Sequence, residues 1–127
     1  MADMGMFRTT VGIESLSLDG VIRELADTMV DTGSEFTWIP AAVLEERGVV
    51  RQRQQRFRVA DGRIVVRDVG FAIVHVAGSS IADLVVFAEP TDATLIGVHT
   101  IEGLNFKIDV MKKELVDAGP IITASAA

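Results

Sequence analysis

Val30-Asp31-Thr32-Gly33-Ser34 is the stretch of this 127-residue sequence that decides its interpretation. An apolar run precedes it, and Asp31 stands where the predicted strand Val21–Val30 runs out into a loop. A carboxylate at such a place is held by a rigid strand and still remains accessible to a ligand. Asp, Thr, Gly and Ser are also common turn formers, so the tetrapeptide alone is consistent with an ordinary turn.

Two further features follow in order along the chain. Asp61-Gly62 lies between the predicted strands Phe57–Ala60 and Ile64–Asp68, and it predicts a hairpin because this dipeptide tolerates the positive φ of a tight turn. Leu95-Ile96-Gly97 comes next and leads into a predicted helical turn at His99–Leu104. A loop carboxylate, a hairpin and an apolar-apolar-Gly motif therefore follow one another.

The remaining sequence predicts an all-β domain. Single glycines separate short apolar runs that are rich in Val and Ile, and this pattern is typical of short strands. Further strands are expected at Phe7–Ile13, Gly70–Val76, Ser80–Phe87, Leu95–Ile96, Phe106–Val110 and Glu114–Asp117. A turn at Leu18-Asp19-Gly20 separates the first two strands, and Pro40 followed by a good helical sequence and Gly48 predicts a short helix at Pro40–Arg47.

Length and composition indicate a single soluble domain. A chain of 127 residues matches one domain, with Ala118–Ala127 expected as a loose tail. Hydrophobic residues make up 49% of the sequence, which is enough for a full core. The first residues lack the pattern of a signal peptide, and no apolar stretch reaches the roughly 20 residues of a membrane-spanning helix. We therefore expect a cytoplasmic protein with no membrane partner.

Charge and residue types exclude several classes of function. The net charge of −6 has the wrong sign for neutralising phosphates, so no nucleic-acid partner is expected, and the arginine-rich stretch Arg51–Arg58 is interpreted as a solvated linker and strand face. The sequence has no Cys, and His75 and His99 are interpreted as a strand residue and a helix-start residue, so no metal and no cofactor are expected. No Gly-x-Ser-x-Gly motif occurs, and Ser34 is interpreted as a supporting hydroxyl or turn residue.

The motifs at Val30–Ser34, Val59–Val65 and Leu95–Gly97 resemble, in their order and spacing, those of the retropepsin-like aspartic proteases. These are small single-domain relatives of pepsin that work as homodimers. The resemblance runs from about Phe7 to Asp117. It implies a small closed β-barrel with a catalytic Asp-Thr-Gly-Ala/Ser loop, a flap hairpin, and an apolar-apolar-Gly motif beneath the catalytic loop.

The resemblance also implies a role for each motif residue. Asp31 would be the catalytic residue and would act together with Asp31 of a second copy. Thr32 would lock the two loops through reciprocal hydroxyl–backbone hydrogen bonds. Gly33 would let the backbone approach the carboxyl pair, and Ser34 would donate to the outer oxygen of Asp31. Two further groups are assigned: the flap tip, Ala60, Asp61 and Gly62, and the structural motif under the active site, Leu95, Ile96 and Gly97.

The implied partners are a second copy of the chain and an extended peptide or protein substrate. The copies would share a terminal sheet built from the segments Met4–Arg8 and Glu114–Asp117. Ile64 and Val98 are candidates for apolar pocket walls. His99 and the residue before it depart from the family, in which Arg-Asn or Met-Asp often follows the last Gly, and this departure removes a supporting ion pair.

Two other interpretations stay open. A non-catalytic homodimeric peptide-binding or interaction module would keep the same fold. The intact Asp-Thr-Gly-Ser sequence argues against it, because a binding module has no evident need for a paired carboxylate. A β-rich domain unrelated to proteases would match only because common turn residues coincide with the motifs.

Overall fold

The computed structural model describes residues 7–123, and strands dominate this part of the chain. Its elements are β1 Phe7–Glu14, β2 Arg23–Val30, β3 Thr37–Pro40, α1 Ala41–Glu46, β4 Arg53–Arg58, β5 Ile64–Val76, β6 Ser79–Ala88, β7 Leu95–Ile96, α2 Val98–Gly103, β8 Phe106–Asp109 and β9 Glu114–Asp117. The predicted all-β class with one or two short helices is confirmed. Within residues 7–123, neither helix has the length and apolar character needed to span a membrane.

Seven of the strands form one sheet that closes on itself. The strand order is β1-β2-β7-β3-β6-β5-β4, and an additional pairing of β1 with β5 joins the first six into a ring. The 13-residue strand β5 makes this closure possible, because its first half pairs with β4 and its last four residues pair with β1. The ring is close to the predicted closed barrel, and the β4–β5 hairpin extends beyond it.

The core lies inside this ring and consists mainly of β-branched side chains. Fully buried residues come from strands on all sides of the ring: Val11, Ile13, Val30, Ile39, Val74, Val85 and Ile96. Their branched Cβ atoms favour extended backbone. Each such side chain contributes about 1.5–3 kcal/mol when it is fully removed from water. Burial of these alternating residues therefore sets the register of each strand.

Helix α1 begins directly after β3. Pro40 ends the strand and stands at the helix N-cap with φ −51°, an angle that suits a helix start. Val43 and Leu44 are buried, and Gly48 continues the chain with φ +72°. The predicted helix Pro40–Arg47 is confirmed, although it is one residue shorter at each end.

Several strand predictions were wrong in their limits. Ile64–Asp68 and Gly70–Val76 were expected as two strands, but β5 runs through both because Val69 and Gly70 are buried in the continuous pairing with β6. Strand β3 was not predicted at all. It has only four residues and ends in a proline, so the pattern of strand-forming residues is too short to predict a strand. Strand β2 begins at Arg23 and not at Val21, because the residues around Gly20 form a longer connection than a tight turn.

The C-terminal part of the described chain forms the separate hairpin β8–β9, close to the predicted limits. The Ala118 N–H donates to the Asn105 carbonyl at 2.9 Å, and the Asn105 side chain donates to the Gly119 carbonyl at 2.9 Å. The first two residues of the expected loose tail, Ala118 and Gly119, thus both contact Asn105. Ala124–Ala127, and the part of the predicted segment Met4–Arg8 before Phe7, lie outside the described residues.

Gly97 joins β7 to α2 at a place with no room for a side chain. A Cβ atom there would lie 2.4 Å from the carbonyl oxygen of Phe36 and 2.8 Å from that of Glu35. The φ of Gly97 is −91°, which any residue adopts, so space and not backbone angle requires the glycine. The motif Leu95-Ile96-Gly97 is thereby packed against the segment that follows Asp31.

We expect Gly97→Ala to lower the free energy of unfolding by about 2–3 kcal/mol, the upper range for overpacking, because its new methyl group meets backbone atoms. Gly103→Ala is the matched control. Its Cβ would lie at 2.5 Å from Ile81 Cδ1, the movable end of a side chain, so its effect should stay within about 1 kcal/mol. Urea unfolding of both variants measures the difference, and equal stabilities would contradict the packing argument.

Candidate active site

Asp31 lies at the end of β2, where the strand pairs in parallel with β7. Met29 and Val30 are paired with Leu95 and Ile96, and the Asp31 N–H donates to the Ile96 carbonyl at 2.9 Å. The backbone of Asp31 is therefore fixed by the sheet. Its side chain is half-buried, as expected for a carboxylate held by a strand but facing a groove.

The residues after Asp31 form a tight turn around its carboxylate. The Gly33 N–H donates to Asp31 Oδ1 at 2.9 Å, and the Ser34 N–H donates to the Asp31 carbonyl at 3.1 Å. The first of these hydrogen bonds orients the carboxyl group. Thr32 and Gly33 are exposed in the single chain.

Ser34 does not have the contact with Asp31 that the family resemblance implied. Its hydroxyl donates to the Phe36 carbonyl at 2.9 Å and not to the carboxylate of Asp31. The hydroxyl closes a local turn two residues ahead, which is a common use of serine in loops. Ser34 therefore shapes the loop instead of touching the carboxyl group.

A buried chain of hydroxyl groups supports the loop from below. The Gly97 N–H donates to Thr37 Oγ1 at 3.0 Å, and the two hydroxyl oxygens of Thr37 and Thr100 are 2.6 Å apart. Thr100 in turn donates to Asp83 Oδ2 at 2.6 Å. Because the Thr100 hydrogen is used on Asp83, the hydrogen between the two hydroxyls comes from Thr37. All three side chains are buried, and sequence reasoning missed them because neither their spacing nor their type forms a motif.

His99 adds a second contact to the same buried carboxylate. Its Nδ1 lies 3.1 Å from Asp83 Oδ1, and its ring packs against the ring of Phe36 with centroids 5.7 Å apart. The predicted departure from the family at this position thus leaves a hydrogen-bonding side chain on the buried carboxylate. His99 also lies in the first turn of α2 with an exposed side chain, as predicted.

Asp31 faces a groove of about 910 Å³ that lies between its loop and the β4–β5 hairpin. The larger apolar residues of the groove lining are Met29, Phe36, Trp38, Phe57, Val59, Val65 and Leu95. Ile64 and Val98 were the predicted apolar walls and are not part of the lining, so that prediction was wrong. Ile64 is 43% exposed on the outer face of the hairpin, because alternate residues of a strand point to opposite faces.

Aromatic contacts connect the hairpin to the floor of the groove. Phe57 on β4 lies with its ring centroid 5.2 Å from that of Trp38 and 6.2 Å from that of Phe36, in edge-on arrangements. Such pairs contribute about 0.5–1.5 kcal/mol beyond the area they bury. The hairpin therefore packs onto the groove in the free chain.

The tip of the hairpin matches the predicted turn. The Gly62 N–H donates to the Val59 carbonyl at 2.8 Å, and Gly62 has the expected positive φ of +91°. Asp61 accepts hydrogen bonds from the backbone and the side chain of Arg63, and these two bonds, the backbone one first, lower the pKa of Asp61. Ala60 and Asp61 line the groove.

Six of the predicted site residues line this groove: Asp31, Gly33, Ser34, Ala60, Asp61 and Leu95. Thr32, Gly62, Ile96 and Gly97 are not part of the lining. Asp31 stands beneath the hairpin tip, and the loop that holds it rests on Gly97. A carboxyl group that faces such a groove is suited to moving a proton. Among residues 7–123, no three His, Asp or Glu side chains are grouped so that they would hold a metal ion.

Comparison with known proteins bears on this arrangement. No curated protein matches the chain. A family model described as aspartyl protease matches residues 15–100, a range that includes the Asp31 loop, the β4–β5 hairpin and Gly97. The match covers more than half of the chain. The protein therefore belongs to the aspartyl protease family.

Proposed function

We propose that this protein is an aspartic endopeptidase in which Asp31 acts together with Asp31 of a second copy. The observation that carries the proposal is the position of the Asp31 carboxylate, fixed by Gly33 at the floor of the groove and covered by the hairpin. The matching family supports the general reaction, which is peptide-bond hydrolysis.

The reaction needs two carboxyl groups that share one proton. The ionised carboxylate takes a proton from water, whose oxygen attacks the carbonyl carbon of the substrate, while the protonated carboxyl gives its proton to the carbonyl oxygen. When the C–N bond breaks, the carboxyl that took the water proton gives it to the leaving nitrogen. The other carboxylate takes a proton back from one hydroxyl of the tetrahedral carbon, which becomes the new carboxyl group of the product. Two carboxyl groups held a few ångströms apart do not readily both ionise, so activity is expected at acidic to near-neutral pH.

The second carboxyl group is proposed to come from a homodimer. The sequence contains one Asp-Thr-Gly, and a twofold axis through the loop would bring Asp31 next to its own copy. The exposed Thr32 is free to form the reciprocal hydroxyl–backbone hydrogen bonds between loops, and Gly33 leaves space for close approach.

The substrate is proposed to bind in an extended conformation. A peptide in the groove would pair its backbone with the hairpin above and with the Asp31 loop below, and its side chains would alternate between pockets. The rings of Phe36, Trp38 and Phe57 offer apolar walls for such side chains. The preferred residues near the cleaved bond are therefore apolar.

We expect Asp31→Asn to lower kcat/KM by about 10³-fold without unfolding the protein, because an amide keeps the shape of the carboxyl group but accepts no proton. The assay is cleavage of a fluorogenic peptide library with apolar residues. Asp19→Asn makes the same chemical change outside the groove and should leave activity unchanged. A metal chelator should have no effect on the wild type.

Retained cleavage by purified Asp31→Asn would refute this mechanism. A wild type that binds apolar peptides but cleaves none would favour the non-catalytic peptide-binding module. These outcomes are separate, because peptide binding is measured by fluorescence anisotropy without any turnover.

We expect the protein to be a homodimer, because one chain supplies only half of the carboxyl pair. It should therefore sediment at micromolar concentration with twice the chain mass of 13.7 kDa. Thr32→Ala should weaken the dimer and Thr32→Ser should restore it, since serine keeps the hydroxyl group. Thr10→Ala, at an exposed position of β1, is the control. A single species of chain mass at these concentrations would contradict the homodimer.

We expect the amides of Val59–Val65 to exchange quickly in the free protein and slowly when a peptide with a transition-state-mimicking hydroxyl group is bound, because the ligand orders the hairpin by strand pairing. Gly62→Val should reduce turnover more than stability, since a β-branched residue resists the φ of +91° at the tip. Gly20→Val, with a φ of +77° in a distant loop, is the matched control. Slow exchange that the ligand leaves unchanged would show that the hairpin is not a moving flap.

A further inference from the structure

Arg67 and Asp92 form a two-pronged ion pair that the reaction itself does not use. Arg67 Nε donates to Asp92 Oδ2 at 2.7 Å, and Arg67 Nη2 donates to Asp92 Oδ1 at 2.9 Å. The two side chains are only 13% and 14% exposed. Two parallel hydrogen bonds of this kind fix both distance and angle between the groups.

The carboxylate is also held by its own loop. Asp92 Oδ2 accepts the Glu89 N–H at 2.8 Å, and the Asp92 N–H donates to the Glu89 carbonyl at 2.9 Å. The Glu89 carboxylate lies 3.5 Å from Arg67 Nη2 and adds a weaker attraction. The turn between β6 and β7 therefore presents Asp92 to Arg67 as a rigid unit.

The pair joins two segments that both contribute residues to the groove lining. Arg67 lies on β5, directly opposite Gln55 of β4, so it stands at the base of the hairpin that covers Asp31. Asp92 lines the groove together with its neighbours in the loop, and the chain runs from there into Leu95 of β7. A single contact thus ties the hairpin to the groove edge and to the strand that fixes Asp31.

Other arginine–carboxylate pairs within residues 7–123 are more open to water. The Arg51 side chain, which pairs with Asp68 one position along β5, is 41% exposed, and that of Arg63, which pairs with Asp61, is 71% exposed. Exposed pairs contribute little, whereas the loss of one partner from a mostly buried pair leaves an uncompensated charge. Arg67 and Asp92 therefore depend on each other.

The ionised state of the pair persists in acid. Hydrogen bonds from Arg67 lower the pKa of Asp92, burial opposes them, and the Glu89 N–H and the charges of Arg67 and Arg63 act in the same direction as the hydrogen bonds. A lowered pKa means that the stabilising contribution is present above the usual aspartate value and is lost only as the pH falls through the lower, folded-state value. The contact is thus retained to a lower pH than an aspartate of ordinary pKa would allow.

We propose that Arg67 and Asp92 are positioning residues, which hold the base of the β4–β5 hairpin at a fixed spacing from the groove edge and so set the width of the groove for an extended peptide. The effect on peptide binding rests on the proposed peptidase function. The coupling between the hairpin and the loop does not rest on that function, because it is measured without a substrate.

The first experiment follows amide exchange in the free protein for Arg67→Met and Asp92→Asn. Each variant should speed exchange by about tenfold in both segments, residues 53–69 and residues 89–95, since a charge-assisted contact is lost from both. Asp68→Asn is the matched control, because it breaks the neighbouring Arg51 pair outside the groove. Exchange that changes only in the substituted segment, or changes equally in the control, would overturn the proposal.

The second experiment separates positioning from general stability. Arg67→Met and Asp92→Asn should raise KM for a fluorogenic apolar peptide about fivefold or more and change kcat less than about twofold, since the groove and not the carboxyl pair is altered. Arg67→Lys should recover part of the lost KM, because lysine keeps the charge but not the two-pronged geometry. A lower kcat with unchanged KM would overturn the proposal. A wild type without cleavage would count against the peptidase function alone, since the exchange result would still decide the coupling.

Discussion

The parallel pairing of β2 with the two-residue strand β7 is the contact on which the rest of the structure depends. It places Asp31 beside Ile96 and Gly97, residues that are far apart in sequence. Parallel strands cannot be joined by a tight turn, so a long crossover must connect them. Here the crossover carries β3, the β4–β5 hairpin and β6, and of these β3 and the hairpin line the groove at Asp31. One short contact thus determines both the position of the carboxylate and the shape of its surroundings.

The buried polar chain below the loop explains how so short a strand is held in place. Gly97, Thr37, Thr100 and Asp83 form a continuous series of donors and acceptors that ends on a carboxylate. In a region of low dielectric such a series is stable when every member has its partner, and it is costly when one is missing. The series also requires one specific placement of α2 relative to β3. The Asp31 loop is therefore supported by a directional network in addition to apolar packing.

The features that could be predicted from the sequence mostly depend on residues that are close together in the chain. Those that could not be predicted depend on residues that are far apart in the chain. The Asp31 turn and the Gly62 tip were predictable because each depends on residues within a few positions of one another. The Gly97 motif was predicted from the family resemblance, and its physical reason, the carbonyl groups of Glu35 and Phe36, lies far away in the sequence. The continuity of β5 through Gly70 was not, since it depends on pairing with β6.

The contacts of Asp83 and of Arg67 were likewise invisible, because each joins residues 16 or more positions apart that form no motif. Ser34 shows that the hydrogen bond of a side chain is not always predictable, even when the residue belongs to a recognised motif. The residue is where the resemblance places it, but its local hydrogen bond goes to Phe36.

The edge-on contact between Phe57 and Trp38 has a consequence for observing the protein. Trp38 is the only tryptophan in the sequence, it is 9% exposed, and it lies in the groove against the hairpin. Its indole emission therefore arises from a single environment, which is the lining of the groove. Any occupant that separates Phe57 from the indole changes the surroundings of that chromophore directly. The chain thus contains its own optical reporter for occupancy of the groove, without an attached dye.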